Sequence, residues 1–172
     1  MAEAYRDGAQ SAGHEVRVLR LADVEVPFLR TQREWTDTPV PSALADAQQA
    51  IGWAEHIVFI YPLWLGAMPA PLKGFLEQVL RPGFAIAPAS GGMWGKLMKS
   101  RSARVVVTIG MPALVYRWFF LAHSLRSFER NILKFCGFGP VRSTVLGGVA
   151  SGDPSKRHKW LEEMRALGLA GK

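Results

Sequence analysis

Two stretches of this chain have the residue types and spacing to hold a flat organic group: Tyr61-Pro62-Leu63-Trp64-Leu65-Gly66-Ala67-Met68-Pro69 and Thr108-Ile109-Gly110-Met111-Pro112. Each follows an apolar run, is shaped by Gly and Pro, and carries no charge. Loops of this kind present backbone N–H and C=O groups to a heterocycle, and Trp64 adds a ring edge or face. Other chemistries lack their residues. No Gly-x-Ser-x-Gly elbow or Cys/His pair supplies a nucleophile with its base. His14, His56, His123 and His158 are too scattered to suggest a metal site, and the one cysteine, Cys136, forms no internal disulfide.

The elements that must position these loops follow from pattern. His56–Tyr61 (HIVFIY) and Ala103–Ile109 (ARVVVTI) are apolar without alternation, as expected for strands in the middle of a parallel sheet covered on both faces. Val141–Leu146 reads as a further strand. His14–Leu21 alternates Val16 and Val18 with Arg17 and Arg20, as in a strand with one wetter side. Helices are expected over Ala2–Ser11, ended by Gly13, and from a Ser42 cap through Ile51. Others are expected from about Ala70 to Leu80 with Pro71 in the first turn, as one long helix to Cys136, and after an Asp153 cap. Ala22–Pro41 and Pro82–Ser102 read as long connections. The alternation of helix and strand implies a single α/β domain over residues 1–172 with a doubly wound parallel sheet.

Composition narrows the classes. The 172 residues are 49% hydrophobic and 20% charged, which excludes wholesale disorder. The uncharged window Ile57–Leu72 is short and holds three prolines, so no integral membrane span is expected. Glu3, Arg6 and Asp7 interrupt the start of the chain, so no secretory leader is read there and a cytoplasmic location is expected. The net charge of +7 is uneven: residues 1–95 carry 7 Lys/Arg against 10 Asp/Glu, and residues 96–172 carry 14 against 4. A basic half suits a nucleotide phosphate, a nucleic acid or an acidic membrane surface, and equally a solvated face. Nucleic acid is the weakest of these, because the aromatics are not interleaved with Lys/Arg on one stripe.

Tyr61–Phe84 (YPLWLGAMPAPLKGFLEQVLRPGF) resembles the hallmark segment of the flavodoxin-like NAD(P)H:quinone oxidoreductases, and Asn131–Gly137 (NILKFCG) resembles the end of a later helix in that family. The likeness runs from Ala2 to about Leu167. It implies a flavodoxin-like fold, a flavin (FAD before FMN), NAD(P)H as co-substrate, a quinone-like acceptor and a homodimer. Pro62, Leu63, Trp64 and Leu65 match the family's loop along the flavin ring, and Thr108 and Gly110 match the loop at its pyrimidine side. Tyr116 and His123 match the tyrosine and histidine that assist hydride transfer, and no metal is implied. Core filling for Trp64, a surface position for Tyr116 and a structural role for His123 are the competing readings. Cys136 reads as a small buried hydrophobe, and Lys156, Arg157 and Lys159 as a solvated helix start.

The family's first strand and phosphate loop have no counterpart here, and Gly91-Gly92-Met93-Trp94-Gly95 follows no strand. The expectation is therefore an N-terminally truncated, flavin-poor form with a gap between the segments matching His14–Leu21 and His56–Tyr61. The competing class is a non-catalytic ancillary subunit of a potassium-efflux system, to which relatives of this family contribute.

Overall fold

The computed structural model describes residues 1–90 and 93–171; Gly91 and Gly92 of the glycine-rich stretch lie outside them. Ala103–Ile109 forms the heart of the molecule because valine, isoleucine and alanine fill both faces of a pleated strand. That strand, β4 (Ser102–Ile109), lies between β1 (His56–Pro62) and β5 (Val141–Gly147), parallel to both. Its register pairs Phe59 with Val105 and Val105 with Ser143. A separate antiparallel pair, β2 (Ile86–Ser90) and β3 (Met93–Lys96), occupies part of what reads in the sequence as a plain connection, so, contrary to expectation, a strand does end just before the glycine-rich stretch.

Helices cover both faces. On one side Val105, Val107 and Ile109 pack with α3 (Ser42–Trp53), α4 (Ala70–Val79) and the segment α5 (Ala113–Trp118), α6 (His123–Ser127) and α7 (Lys134–Cys136). On the other, Val106 and Leu146 pack with α1 (Ala2–Ser11) and α8 (Pro154–Leu169). The α1–α8 contact is unusually close because each helix offers a glycine to the other's backbone. A Cβ built on Gly8 would lie 2.1 Å from the Arg165 carbonyl oxygen, and one on Gly168 would lie 2.1 Å from that of Tyr5. The result is an α/β arrangement with helices on both faces of a parallel sheet, as expected.

Several expectations need correction. His14–Leu21 is not a strand: it runs without ladder bonds and ends in a 3₁₀ turn at Leu21–Asp23. Alternation fits a strand's face, but a strand also needs a neighbour's backbone. For the same reason β1 is an edge strand rather than a central one; among the described residues it pairs only with β4, and Ile57 to Ile60 are only half-buried. The connection at 22–41 contains α2 (Gln32–Asp37), capped reciprocally: Thr31 Oγ1 accepts from the Glu34 N–H and a Glu34 carboxylate oxygen accepts from the Arg30 N–H. Buried Arg81 holds that segment to α4, donating from Nη1 to the carbonyls of Glu34 (2.8 Å), Thr38 (2.6 Å) and Pro39 (3.1 Å). Ser42 is the first helical residue of α3 and makes no cap bond. Asp153 does cap α8, accepting from the Ser155 N–H at 2.9 Å.

The long helix expected up to Cys136 is broken. Leu121 (φ 52°) and Ala122 (φ 48°) adopt left-handed backbone between α5 and α6, and a π-helical turn, Phe128–Leu133, follows. The break holds because Tyr116 ties it from inside, and fully buried Phe128 locks the π-turn against Phe59 and Tyr61, with ring centroids 5.2 and 6.0 Å away.

Candidate functional site

Because β1, β4 and β5 are parallel, their carboxyl ends meet at one edge of the molecule, where open α/β sheets bind ligands. Three loops gather there: 63–69 after β1, 110–112 after β4 and 148–153 after β5. They are laced by backbone. The Leu63 N–H donates to the Thr108 carbonyl at 2.8 Å, and the Gly148 N–H to that of Met111 at 2.9 Å. Gly147 lets the third loop approach, since a Cβ there would sit 2.3 Å from the Ala113 nitrogen. Gly110 faces Ala150: a Cβ built on Gly110 would lie 3.7 Å from that of Ala150.

The first loop is a tight turn. Trp64 and Ala67 exchange N–H to C=O bonds at 3.0 Å each, with Leu65 (φ 46°) and Gly66 (φ 76°) at the two corners. Positive φ at both corners is the geometry of a primed turn, which suits glycine and strains leucine by roughly 1–2 kcal/mol. The turn projects its side chains outward: Trp64 is 63% exposed, Leu65 is fully exposed, and Pro62 is exposed beside them. Trp64 is thus not core filler. Leu63 and Met68 point inward and pack on the core, which holds the turn in place. Strain at an exposed corner beside an aromatic side chain is the pattern found where backbone is shaped for a ligand.

The loops contain no charged or titratable side chain before Asp153. An arrangement of this kind orients and shields a group that brings its own reactivity; it does not itself move protons. The described cavities lie elsewhere. One of about 350 Å³ is lined by Leu29, Trp35, Leu76 and Phe135 among others, and one of about 320 Å³ by Arg117, Arg126, Glu129 and Ser143. The strand-end loops line neither of them.

The remaining candidates separate. Thr108 is half-buried at the end of β4 and contributes its carbonyl to the lacing, and Gly110 is exposed next to it. Tyr116 is buried and not on the surface: its hydroxyl lies 2.8 Å from Ser124 Oγ and accepts from the Leu125 N–H at 3.3 Å. That hydroxyl spans the α5–α6 break. His123 is exposed at the first position of α6, directly after the left-handed Ala122. Behind the platform, Tyr61 closes the core, and burial, with Tyr116 and Glu129 nearby, raises its hydroxyl pKa. Cys136 is buried in α7, and burial pushes its thiol up to about 11, so it behaves as a hydrophobe. Lys156, Arg157 and Lys159 are exposed on α8. The third loop is absent from the sequence-based candidates; the Gly147-Gly148 pair directly after β5 is the signal that points to it.

A flavin tests this geometry in two halves. For the ring, the uncharged platform, the exposed Trp64 and the glycines that bring three loops into contact all fit. For the phosphates, the fit needs a strand, a small polar loop and a helix N-terminus. The described residues bear on the ring half.

Comparison with known proteins agrees with the architecture. An "Uncharacterized NAD(P)H oxidoreductase" of Haemophilus influenzae is 31% identical over 124 residues, 72% of this chain and 61% of that protein. The "Glutathione-regulated potassium-efflux system ancillary protein KefG" of Salmonella newport is 36% identical over 100 residues, 54% of this chain and 48% of its own length. The chain thus spans roughly half to three-fifths of these relatives. The solved NAD(P)H:quinone oxidoreductase from Methanothermobacter marburgensis superposes with a TM-score of 0.82 at 28% identity, covering 99% of this chain and 89% of that one. A family model described as "Flavodoxin-like fold" matches residues 1–167, and with the doubly wound sheet and its strand-end platform this shows that the chain belongs to that flavodoxin-like family.

Proposed function

We propose that the platform of Pro62–Leu65, Thr108 and Gly110 holds the ring of a flavin, FAD before FMN, and that the protein is an oxidoreductase. NAD(P)H, a proton and a quinone-like acceptor would give NAD(P)⁺ and the hydroquinone. The observation that carries this reading is the exposed, strained Trp64 turn bonded to the end of β4 through Leu63 and Thr108. The 31% similarity to an NAD(P)H oxidoreductase supports it.

When bound, the flavin supplies the two-electron chemistry. The chain's own residues do the rest. Leu63 and Thr108 fix the distance between the two ring-facing loops, and Trp64 and Leu65 screen one side of the ring from water. Tyr116 acts as a positioning residue, because its hydroxyl is committed to Ser124 and Leu125. His123, exposed beside the left-handed turn, is the group available to hold a proton at its imidazole as charge develops. The proposal includes a homodimer, which light scattering on the flavin-loaded protein would report.

Steady-state oxidation of NADH and NADPH with a benzoquinone, after incubation with FAD or FMN, tests the reading. Turnover that requires added flavin supports it. His123→Gln and Tyr116→Phe should both lower kcat; losses under about twofold in both would remove their roles, since such assistance is worth ~10²–10⁴-fold. A second reading, a non-catalytic ancillary protein, is favoured by the similarity to KefG. No turnover and no flavin binding would select it.

A further inference from the structure

The amino ends of the parallel strands, at the opposite end of the sheet from the platform, gather positive charge that no carboxylate pairs. Arg104 of β4 and Arg142 of β5 are register partners, so their side chains leave one face of the sheet side by side. His56 of β1 and Ser102 of β4 form the neighbouring pair on that face. It is the face that α1 and α8 cover, because Val106 and Leu146 of the same strands pack there. Arg104 and Gly110 stand roughly 20 Å apart at the rise of a strand, so this cluster is remote from the ring-facing loops.

Arg104 is only 6% exposed. Its Nη1 donates to Thr144 Oγ1 at 2.8 Å, while its buried Nε has no acceptor. Tyr5 of α1 and Glu163 of α8 face the guanidinium, yet among the described residues it makes no ion pair. The buried Nε2 of His56 also lacks a partner. With Ser102 Oγ donating to Nδ1 at 2.7 Å, that Nε2 carries the hydrogen and is a second free donor. Arg142 is exposed, makes no ion pair among the described residues, and acts on His56 together with Arg104 and His14. Like charges directly opposite each other oppose strand pairing, and a buried charge is costly unless it is paired and hydrogen-bonded. A tetrahedral oxyanion removes both costs. It has the charge to face two guanidinium groups and enough acceptor oxygens to take the N–H groups of Arg104 and His56. Exposed Arg142 leaves it an approach from solvent.

We propose that Arg104, Arg142 and His56 form a binding site for a small tetrahedral oxyanion, either inorganic phosphate or the phosphoryl end of a small phosphate ester. The inference rests on this cluster and not on the flavin reading.

Thermal unfolding of the full chain, with inorganic phosphate replacing chloride at constant ionic strength, tests it. Tm should rise saturably, by about 4–7 °C at about twenty times the dissociation constant, and equilibrium dialysis should return the same constant. Arg104→Met and Arg142→Ala should each weaken phosphate binding at least about tenfold, the value of one charge-assisted hydrogen bond. Arg142 is exposed, so its variant carries the test if Arg104→Met does not fold. Glycerol 3-phosphate, titrated in parallel, separates the two sources. Binding tighter than that of phosphate assigns the site to an ester, and equal or weaker binding assigns it to the free ion. Flavin is absent from every arm, so failure here leaves the flavin reading untouched. Three outcomes overturn the proposal: no rise in Tm over chloride, no binding of either phosphate compound by dialysis, and phosphate binding that both variants retain at wild-type strength.

Discussion

Replacing Gly168 by alanine sets two well-understood effects against each other, and the structure decides between them. Gly168 lies in α8, where intrinsic propensity alone favours alanine by about 0.8–1.0 kcal/mol. Its neighbours across the helix pair oppose this. A Cβ at 168 would lie 2.1 Å from the Tyr5 carbonyl oxygen, 2.9 Å from the Ala9 nitrogen and 3.0 Å from the Tyr5 carbonyl carbon. All three are backbone atoms and cannot rotate away. Restoring ordinary contact requires α1 and α8 to separate by more than an ångström, which loosens the cluster of Ala4, Tyr5, Ala9, Leu146 and Met164. Overpacking of this kind costs ~1–3 kcal/mol, and lost contacts around a displaced helix add to it. The net expectation is a destabilisation of about 1–3 kcal/mol, or ~2–4 °C per kcal/mol in Tm for a chain of this size. Gly8→Ala faces Arg165 at the same 2.1 Å and should behave alike. The double variant should cost less than the two singles together, because one separation relieves both clashes. Urea denaturation of the four proteins, followed by far-UV circular dichroism, measures this. A Gly168→Ala protein as stable as wild type or more so would show that propensity wins and that the helices are not in backbone contact.

Three further outcomes follow from particular residues. His56 donates or accepts at Nδ1 to Ser102 Oγ at 2.7 Å while its buried Nε2 has no partner, and burial, then Arg104, Arg142 and His14, lower its pKa. The unfolded chain therefore takes up this proton first, so stability is full above pH ~6.5 and falls as the pH drops toward the folded pKa, by at most ~1.4 kcal/mol per unit. His56→Gln should flatten the slope of stability between pH 7 and 5, and equal slopes would refute the assignment. Arg81→Met removes charged donors from the carbonyls of Glu34, Thr38 and Pro39. It should cost ~2–4 kcal/mol and open residues 22–41 to proteolysis; an unchanged digestion pattern would argue against the clamp. Leu65→Gly relieves left-handed strain, so Tm should hold or rise by the equivalent of ~1 kcal/mol while flavin affinity falls, and a lower Tm would show that the turn is not strained.

The interior of the sheet was legible because β4 needs apolar residues on both faces, and few other elements tolerate such a run. Its edges were not. Val16 and Val18 have a strand's alternation, but the segment makes no ladder bonds, and periodicity cannot report whether a neighbour exists. The same blindness placed β1 in the middle of a sheet whose edge it forms. The α5–α6 break was hidden for a different reason: no Gly or Pro marks it between Trp118 and Ala122, and only the Tyr116–Ser124 bond shows why the chain turns there. Of the platform, the Pro62–Leu65 and Thr108–Gly110 loops could be read from Gly, Pro and the absence of charge. The third is marked in the sequence by the Gly147-Gly148 pair alone, and why Gly147 matters, its distance to Ala113, is a tertiary fact.

The central claim is that the strand-end platform binds the flavin ring itself. Riboflavin, which has the ring and no phosphate, isolates that half. Titrated against the full chain and followed by flavin fluorescence quenching, it should bind saturably, and Trp64→Ala should weaken that binding at least about tenfold, a loss of roughly 1.4 kcal/mol, with Tm unchanged because Trp64 is 63% exposed. Riboflavin that fails to bind, or that binds Trp64→Ala as tightly as wild type, would contradict the account.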